Sequence, residues 1–378
     1  MSEVIKATNQ KELIDDLLRG MKKDVPVLVR GSAGVGKSEI IRYAILEYAK
    51  YREKELVFDV LNPTKKQLSL VNFALPHYEA HDVAGIPTVM TLEDGKQIQG
   101  RALLDNLPKG NGEGVLFLDE IGQADMSVIT VASELIHERK INNDYKLPEG
   151  FRVVGATNTS KHRAGSIDLP QHFLDRCLVI DYEPSFEGWY DWSLNSGRIN
   201  PMINAYLHWN KDHLWSFDPK MKTAQASPRA WERLSKLIED ELSDLQNANE
   251  DTYRAIERRA KGSVGEKIAV EFGNFIRLKE RLPNLAKIVS GDDKEASDEV
   301  KTDMGLTYAV LTALSGVITN AKEDLQGEYF ENCFSYVESI DVAEIGIFFA
   351  RQILSIVPEL SETSTFTKFV AKYGEFQY

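Results

Sequence analysis

The sequence predicts an α/β fold in which a parallel sheet is sandwiched by helices and followed by a region of helices alone. Two observations support this prediction. Five short apolar segments, ending near residues 30, 62, 120, 158 and 182, are mostly separated by stretches with helical periodicity. From about residue 184 onward the strand pattern stops and a helical pattern continues. Strands that alternate with helices are typical of a parallel sheet covered on both faces.

Composition limits the class of protein. A chain of 378 residues is long enough for two or three domains. The net charge of −13 argues against a surface coated for nucleic acid, and residues 286–378 hold 7 Lys and Arg against 16 Asp and Glu. Cys177 and Cys333 are too few for a disulfide framework or a zinc cluster. Neither a signal-peptide core nor a membrane-length apolar run stands out, so we expect a cytoplasmic protein without membrane segments.

The predicted sheet elements follow one another along the first half of the chain. An amphipathic helix at 7–23 precedes a short strand at 25–30, and a glycine-rich turn then opens a second helix. The remaining strands are predicted at 55–62, 114–120, 151–158 and 176–182.

Two segments interrupt this alternation and read as β-hairpins. The first covers about 88–102 with EDGK as its turn, and the second covers about 139–152 with NND as its turn. We expect three regions: an α/β domain at 1–185 that carries both hairpins, a helical domain at 186–290, and an acidic helical region at 291–378.

The turn after the first strand carries a phosphate-binding motif. Its sequence GSAGVGKS matches G-x-x-x-x-G-K-[ST] in full, between a predicted strand and a predicted helix. In such a loop, backbone N–H groups and the helix N-terminus surround the phosphates, the lysine reaches the β- and γ-phosphates, and the hydroxyl ligates Mg²⁺. The motif therefore predicts ATP and Mg²⁺ as ligands of Gly31, Ser32, Ala33, Gly34, Val35, Gly36, Lys37 and Ser38.

Two acids at the end of the third strand are the predicted partners of this loop. Asp119 and Glu120 follow four apolar residues, where an unpaired charge would be costly to bury. We expect Asp119, on a strand neighbouring the phosphate loop, to hold Mg²⁺ through a water opposite Ser38, and Glu120 to activate the attacking water. Asn158 ends the strand expected beside that of Asp119 and is a candidate contact for the γ-phosphate. The alternatives are a surface strand end for the acids and a turn residue for the asparagine.

These motifs, in this order, resemble the AAA+ ATPases, a P-loop NTPase superfamily, and within it the MoxR-like branch. The segments that carry the resemblance are HDVAGIP, GEGVLFLDEIGQA, LIHERKINNDYKLPEGFRVVGATN, LPQHFLDRC and SPRAWERLSKLI, over about residues 20–240. The helical remainder is similar to that of phage and prophage members. The resemblance implies an all-α lid after the α/β domain.

The resemblance assigns roles to individual residues. Lys37 and Ser38 match Walker A, Asp119 and Glu120 match Walker B, and Asn158 matches sensor 1. The resemblance also assigns roles to three further residues. Arg176 matches an arginine finger that acts on a neighbouring subunit, Arg229 matches sensor 2, and Asn62 matches a polar switch that restrains Glu120. Other interpretations stay open. Arg163 is a second candidate finger, Arg176 and Arg229 could be solvated surface residues, and Asn62 could be an ordinary Asn-Pro turn residue.

The resulting function prediction is a Mg²⁺-ATP-hydrolysing AAA+ motor that remodels or matures a protein partner. The resemblance implies a homo-hexameric ring and a partner carrying a von Willebrand A domain. A DNA-directed ATPase of clamp-loader or helicase-loader type is the first alternative, kept open by Lys96, Arg101, Lys140 and Lys146 near the hairpins. A nucleotide-gated scaffold with negligible turnover is the second, and an intact Glu120 argues against it.

Overall fold

The computed structural model describes residues 5–7, 9–91, 96–102, 106–142, 144–159, 167–216, 218, 221–243 and 248–373. The chain divides into two compact units, Met1–Trp189 and Tyr190–Tyr378. Over the described residues, none of the helices combines the length and the apolar content needed to cross a bilayer.

The first unit is built on a parallel sheet of seven strands. In chain order the strands of the unit are β1 (Ile5–Ala7), β2 (Val27–Gly31), β3 (Glu55–Phe58), β4 (Gln67–Ala74), β5 (Ile86–Thr91), β6 (Gln97–Ala102), β7 (Glu113–Asp119), β8 (Lys140–Ile141), β9 (Tyr145–Lys146), β10 (Phe151–Asn158) and β11 (Leu178–Tyr182). The large sheet has the order β1-β11-β2-β10-β7-β4-β3, with every neighbouring pair parallel.

Helices cover both faces of this sheet. They are α1 (Gln10–Lys23), α2 (Lys37–Tyr51), α3 (Ala80–Ala84), α4 (Met126–Glu138) and α5 (Gln171–Leu174). A further helix, α6 (Phe186–Ser196), crosses the division between the units. One core cluster joins α1 and α2 to the face that carries Val29 and Phe117, and another joins α3 and α4 to the face that carries Leu28 and Leu116. Successive strand residues enter opposite cores, which explains why these strands are apolar throughout.

The predicted fold class, a parallel sheet between helices followed by a helical region, is confirmed. Two strands were not predicted. The edge strand β1 precedes the first helix, which begins at Gln10 and not at residue 7. Strand β4 carries Ser69 and Asn72 inside its apolar run, and these polar residues hide the strand pattern. The buried Ser69 hydroxyl accepts a hydrogen bond from the Val60 N–H at 3.1 Å, so its polarity is satisfied.

Antiparallel strand pairs occupy both segments in which hairpins are expected. Strand β5 pairs with β6, with Ile86 opposite Ala102 and Thr91 opposite Gln97. Most of the expected EDGK turn lies outside the described residues. The second pair, β8 with β9, is shorter than the expected 139–152, because Phe151 and Arg152 already belong to β10 of the large sheet.

The second unit consists of helices in its described residues. Their bounds are α7 (Pro201–Trp209), α8 (Pro228–Leu237), α9 (Glu239–Ser243), α10 (Glu250–Val264), α11 (Glu266–Arg277), α12 (Leu285–Val289), α13 (Asp298–Thr302), α14 (Met304–Thr319), α15 (Glu323–Glu338), α16 (Ala343–Leu354) and α17 (Ser364–Tyr373). Trp231 is fully buried against Tyr206 and Phe272, and its indole N–H donates to the His213 carbonyl at 2.8 Å. The expected division of this unit near residue 290 stays a prediction.

Candidate active site

The glycine-rich turn lies at the carboxyl edge of the sheet, where β2 ends and α2 begins. Gly31 has no room for a side chain, since an added Cβ would lie 2.5 Å from the Tyr182 carbonyl oxygen. Gly34 and Gly36 have φ angles of 78° and 90°, which glycine adopts without strain. The turn leads directly into α2, whose N-terminal N–H groups and positive dipole end are suited to an anion.

Lys37 is held at the centre of this turn. Its side chain is 8% exposed, and its Nζ donates to the carbonyl oxygens of Gly31 at 3.0 Å and Ser32 at 2.7 Å. A third bond, of 3.0 Å, goes to Asn158 Oδ1 at the end of β10. A buried ammonium needs such partners because an uncompensated charge would be costly there. Lys37 and Asn158, which are 121 positions apart in sequence, therefore meet at one point.

Ser38 and Asp119 form a second pair beside the first. Ser38 Oγ donates to Asp119, 3.1 Å from Oδ2 and 3.4 Å from Oδ1. Mg²⁺ prefers oxygen ligands and keeps several waters, so this hydroxyl and carboxylate fit an ion held by Ser38 directly and by Asp119 through a water. Among the described residues no group of three or more His, Cys, Asp or Glu side chains is placed to bind a metal ion.

Glu120 follows Asp119 in an unusual backbone conformation. Its φ and ψ of 56° and 34° lie in the left-handed region, which non-glycine residues seldom occupy. The Glu120 N–H donates to Asp119 Oδ1 at 2.9 Å, and its carbonyl accepts from the Gln123 N–H at 2.9 Å. Glu120 is exposed, so its carboxylate stays in contact with solvent.

The strand order corrects one expectation about this site. Asp119 was expected on a strand neighbouring that of the phosphate loop, but β10 lies between β2 and β7. Asn158 pairs with Gly31, and Gly155 pairs with both Leu28 and Leu118. Strand β10 lies beside the Asp119 strand as expected, and it also contacts the phosphate-loop strand.

Asn62 does not occupy its predicted position. Strand β3 ends at Phe58, so Asn62 lies in an exposed connection and not at a strand end. It packs against Gly110, where an added Cβ would lie 2.3 Å from Asn62 Oδ1. Gly110 precedes β7 whereas Glu120 follows it, and a strand of this length spans about 20 Å. This placement gives no support to the predicted restraint of Glu120 by Asn62, which stays a prediction.

Arg176 lies near the opposite edge of the sheet from its own phosphate loop. It precedes β11, whose Leu178 pairs with Val27 and whose Tyr182 pairs with Gly31. The Arg176 guanidinium donates to Ser133 Oγ in α4 at 2.9 Å. Burial raises the pKa of the adjacent Cys177 thiol to about 12, although the Arg176 charge opposes this shift, so the thiol is protonated and a poor nucleophile at neutral pH. The other candidate finger, Arg163, lies outside the described residues.

Arg229 belongs to the second unit. It is exposed in the first turn of α8, after the N-cap Ser227 and Pro228. A cation at this end of a helix is unfavourable for the helix dipole, so its position is not explained by helix stability. Its assignment as sensor 2 stays a prediction.

Sequence reasoning missed two features at the carboxyl edge. The Arg30 guanidinium makes bonds of 2.7 Å and 2.9 Å to the two carboxylate oxygens of Asp181, which lies opposite it on β11. Both line a cavity of about 290 Å³ beside Ser32 and Asn158. A charged residue directly before the glycine-rich turn was a usable signal. The second feature is a hydrogen bond of 3.0 Å from the Gly122 N–H to the Thr157 hydroxyl, which no pattern in the strand sequence indicates.

Two basic residues of the second hairpin have acidic partners, whereas Arg101 of the first bonds a neutral carbonyl. Lys140 pairs with Glu138 at 2.7 Å, Lys146 lies 3.8 Å from a carboxylate oxygen of Glu149, and Arg101 donates to the Gly85 carbonyl at 3.1 Å. Charges balanced in this way contribute less to phosphate-backbone binding than clustered, unopposed ones.

Comparison with known proteins gives weak similarities. No family model matches the sequence. A segment of 187 residues, 48% of this chain, is 25% identical to midasin from Giardia intestinalis and spans only 3% of that protein. NtrX from Brucella abortus in complex with ADP aligns with 97% of this chain and 68% of its own, at 12% identity and a TM-score of 0.38. A RuvB variant from Thermotoga maritima aligns with 80% of this chain and 83% of its own, at 16% identity and a TM-score of 0.37.

Proposed function

We propose that the chain binds and hydrolyses Mg²⁺-ATP at the carboxyl edge of the β2-β10-β7 strands. The observation that carries the proposal is the pair of contacts between Lys37 and Asn158 and between Ser38 and Asp119. The phosphate loop, the acid Asp119 and the amide Asn158 come from distant parts of the chain and meet at one edge of the sheet. Phosphate-loop hydrolases need these groups together.

Each residue has a distinct role in the proposed reaction. The N–H groups of the glycine-rich turn and the Lys37 ammonium bind the phosphates, and Asn158 orients the γ-phosphate or the attacking water. Ser38 and Asp119 hold Mg²⁺, which when bound neutralises charge on the phosphate oxygens. Glu120 accepts a proton from the attacking water, a role for which its exposed position on the strand-end turn is suited.

Arg176 is proposed to act on a neighbouring copy of the chain. Its place at the edge opposite the phosphate loop of its own sheet supports action in trans. In this proposal, the guanidinium leaves Ser133 and stabilises charge on the transferred phosphoryl group at the adjoining protomer's site, a contribution of about 10³–10⁵ in rate for such arginines.

The larger assembly and task are proposed from the motif resemblance. We propose a hexameric AAA+ ring of MoxR-like type in which the helical domain with Arg229 moves against the α/β domain during turnover. The proposed task is remodelling or maturing a protein partner. A von Willebrand A domain in that partner, and a phage or prophage origin, rest on the resemblance alone.

The test combines nucleotide binding with phosphate release. Wild type is expected to hydrolyse ATP only with Mg²⁺, Lys37→Ala to lose nucleotide binding, and Glu120→Gln to bind nucleotide but release phosphate about 10²–10⁴ times more slowly. Glu149→Gln makes the same chemical change at an exposed position of the first unit and should behave as wild type. Unchanged hydrolysis by Glu120→Gln would refute the proposed role of that carboxylate.

The same assay separates the two alternatives. A DNA-directed ATPase would be stimulated by DNA with a steep dependence on salt concentration. A nucleotide-gated scaffold would bind nucleotide in wild type without measurable turnover. The ion pairs of Lys140 with Glu138 and of Lys146 with Glu149 weaken the support for the DNA alternative, whereas Arg101 keeps its positive charge.

A further inference from the structure

The last residues of β10 face two different partners. In a strand, alternate side chains point to opposite faces. Val154 and Ala156 belong to the core cluster of α1 and α2, and Asn158, in step with them, contacts Lys37. Phe151 and Val153 belong to the opposite cluster. Gly155 and Thr157 continue this second series, toward the turn that follows β7.

This turn is bonded to Thr157 through one buried hydrogen bond. The Gly122 N–H donates to Thr157 Oγ1 at 3.0 Å, and Thr157 is 4% exposed. The hydroxyl in turn lies 3.3 Å from the Asn158 carbonyl oxygen, to which it donates. Gly155 leaves room for Ile121 on the same face, since an added Cβ would lie 2.8 Å from Ile121 Cδ1.

The bonded turn is the one that carries Glu120. Glu120 caps a 3₁₀ turn over Ile121–Gln123 and has left-handed backbone angles. Such a conformation is unfavourable for a residue other than glycine and persists only where the surroundings impose it. The Thr157 bond to Gly122 and the packing of Ile121 against β10 are contacts that impose it. A change at Thr157 would therefore be transmitted to Glu120 along two residues of backbone.

We propose that Thr157 is a positioning residue that sets the direction of the Glu120 carboxylate relative to the γ-phosphate site at Lys37 and Asn158. The inference rests on the proposed hydrolytic function and adds a residue to it. Thr157 contacts neither nucleotide nor water in this scheme. It joins the end of β10, which carries Asn158, to the turn that carries Glu120, so that the distance between the Asn158 and Glu120 side chains is fixed.

The test removes the hydroxyl while keeping the shape of the side chain. Thr157→Val is expected to lower kcat about 10- to 100-fold, the range caused by a misplacement of about 1 Å, while nucleotide Kd stays within about twofold of wild type. Thr157→Ser keeps the hydroxyl and should restore most of the rate. Thr312→Val is the matched control. Thr312 is buried, and within the described part of the chain its hydroxyl bonds only the Tyr308 carbonyl of its own helix, so rate and Kd should stay unchanged.

A second arm asks whether Thr157 acts through Glu120. In a Glu120→Gln background, Thr157→Val should cause no further loss in single-turnover rate, because the group it positions is gone. An equal further loss in that background would overturn the inference, as would a kcat for Thr157→Val equal to that of Thr312→Val. If Thr157→Val does not fold, Thr157→Ala carries the same expectation, with rescue by Thr157→Ser required.

These outcomes are distinct from failure of the proposed function. If wild type shows no hydrolysis that depends on Glu120, the function itself fails. If wild type and Glu120→Gln behave as proposed but Thr157→Val matches its control, only the positioning role fails. A parallel loss of nucleotide affinity and melting temperature in Thr157→Val would indicate a structural role and also overturn the inference.

Discussion

Two asparagines illustrate how position in the sheet decides function at the scale of single residues. Asn158 ends a strand at the carboxyl edge and contacts Lys37 at 3.0 Å, whereas Asn62 lies in the connection after β3 and packs against Gly110. Both follow apolar runs, so local sequence did not separate them. What separates them is where each strand ends: β10 extends to Asn158, whereas β3 ends at Phe58 and the unpredicted strand β4 lies between β3 and β7.

This contrast gives a paired prediction. Asn158→Ala should lower kcat about 10- to 100-fold, since a hydrogen bond to the reacting groups is lost. Asn62→Ala should leave kcat within about twofold, because its side chain is about one strand length from Glu120. Steady-state phosphate release with both variants checks this. A large effect of Asn62→Ala would contradict the position assigned to it.

Glu113 provides a prediction about pH. Its carboxylate lies 2.8 Å from both Arg52 and Lys54 at the start of β7. Burial alone would raise the pKa of Glu113, but the hydrogen bonds and charges of Lys54 and Arg52 outweigh it and lower the pKa below the usual value. A lowered pKa in the folded state stabilises the fold above the unfolded pKa, and this stabilisation is lost as pH falls through the folded value.

The measurement is the melting temperature of wild type and Glu113→Gln at several pH values. Wild type should be more stable near neutral pH, by at most about 1 kcal/mol because the ion pair is partly exposed. The difference should shrink progressively below about pH 4.3. A difference that does not change between pH 7 and pH 3.5 would show that the ion pairs are not its cause.

At the scale of secondary-structure elements, the close packing of β7 between its neighbours is a testable property. Gly114 faces Ser69 of β4 and Phe151 of β10, and an added Cβ would lie 2.5 Å from the Ser69 carbonyl oxygen and 2.4 Å from the Phe151 ring. Backbone cannot move aside as a flexible side chain can. Gly114→Ala should therefore destabilise the first unit by about 1–3 kcal/mol, which is typical of overpacking.

Gly316 offers the same substitution where space is available. It lies in α14, and an added Cβ there would meet nothing within 4 Å. Gly316→Ala should raise stability by up to about 1 kcal/mol through helix propensity. Calorimetric melting temperatures of Gly114→Ala and Gly316→Ala, each measured against wild type, check these two expectations. A Gly114→Ala protein as stable as wild type would mean that the β4-β7-β10 spacing is looser than described.

The elements differ in how well the sequence predicted them. Strands β7 and β10 were predicted to within about one residue, because long apolar runs with polar ends mark buried parallel strands. Strand β4 was missed because polar residues inside a strand are tolerated once the fold supplies their partners, as for Ser69. The order of strands depends on long-range pairing, which explains why the position of β10 between β2 and β7 was not foreseen.

At the scale of the whole molecule, the sequence predicted several residues that meet at the carboxyl edge of the sheet, and the assembly stays a prediction. The residues of the glycine-rich turn, the two acids and Asn158 were predicted from motifs whose spacing reflects phosphate and Mg²⁺ geometry. The partners of Thr157 and Arg30 depend on which strands become neighbours, so the position of Arg30 before the glycine-rich turn could mark that residue but not its pairing with Asp181. Arg176 is half-buried and bonded to Ser133, and its proposed partner belongs to another copy of the chain.

Hydrolysis is proposed to need Glu120 from one protomer and Arg176 from its neighbour, and a mixture of two inactive variants tests this requirement. Glu120→Gln and Arg176→Ala should each release phosphate from Mg²⁺-ATP at least about 10² times more slowly than wild type. In a mixture, interfaces that pair Glu120 of one variant with Arg176 of the other should recover activity. If the mixture stays inactive while wild type is active, or if Arg176→Ala alone retains the wild-type rate, completion of the site between protomers is contradicted.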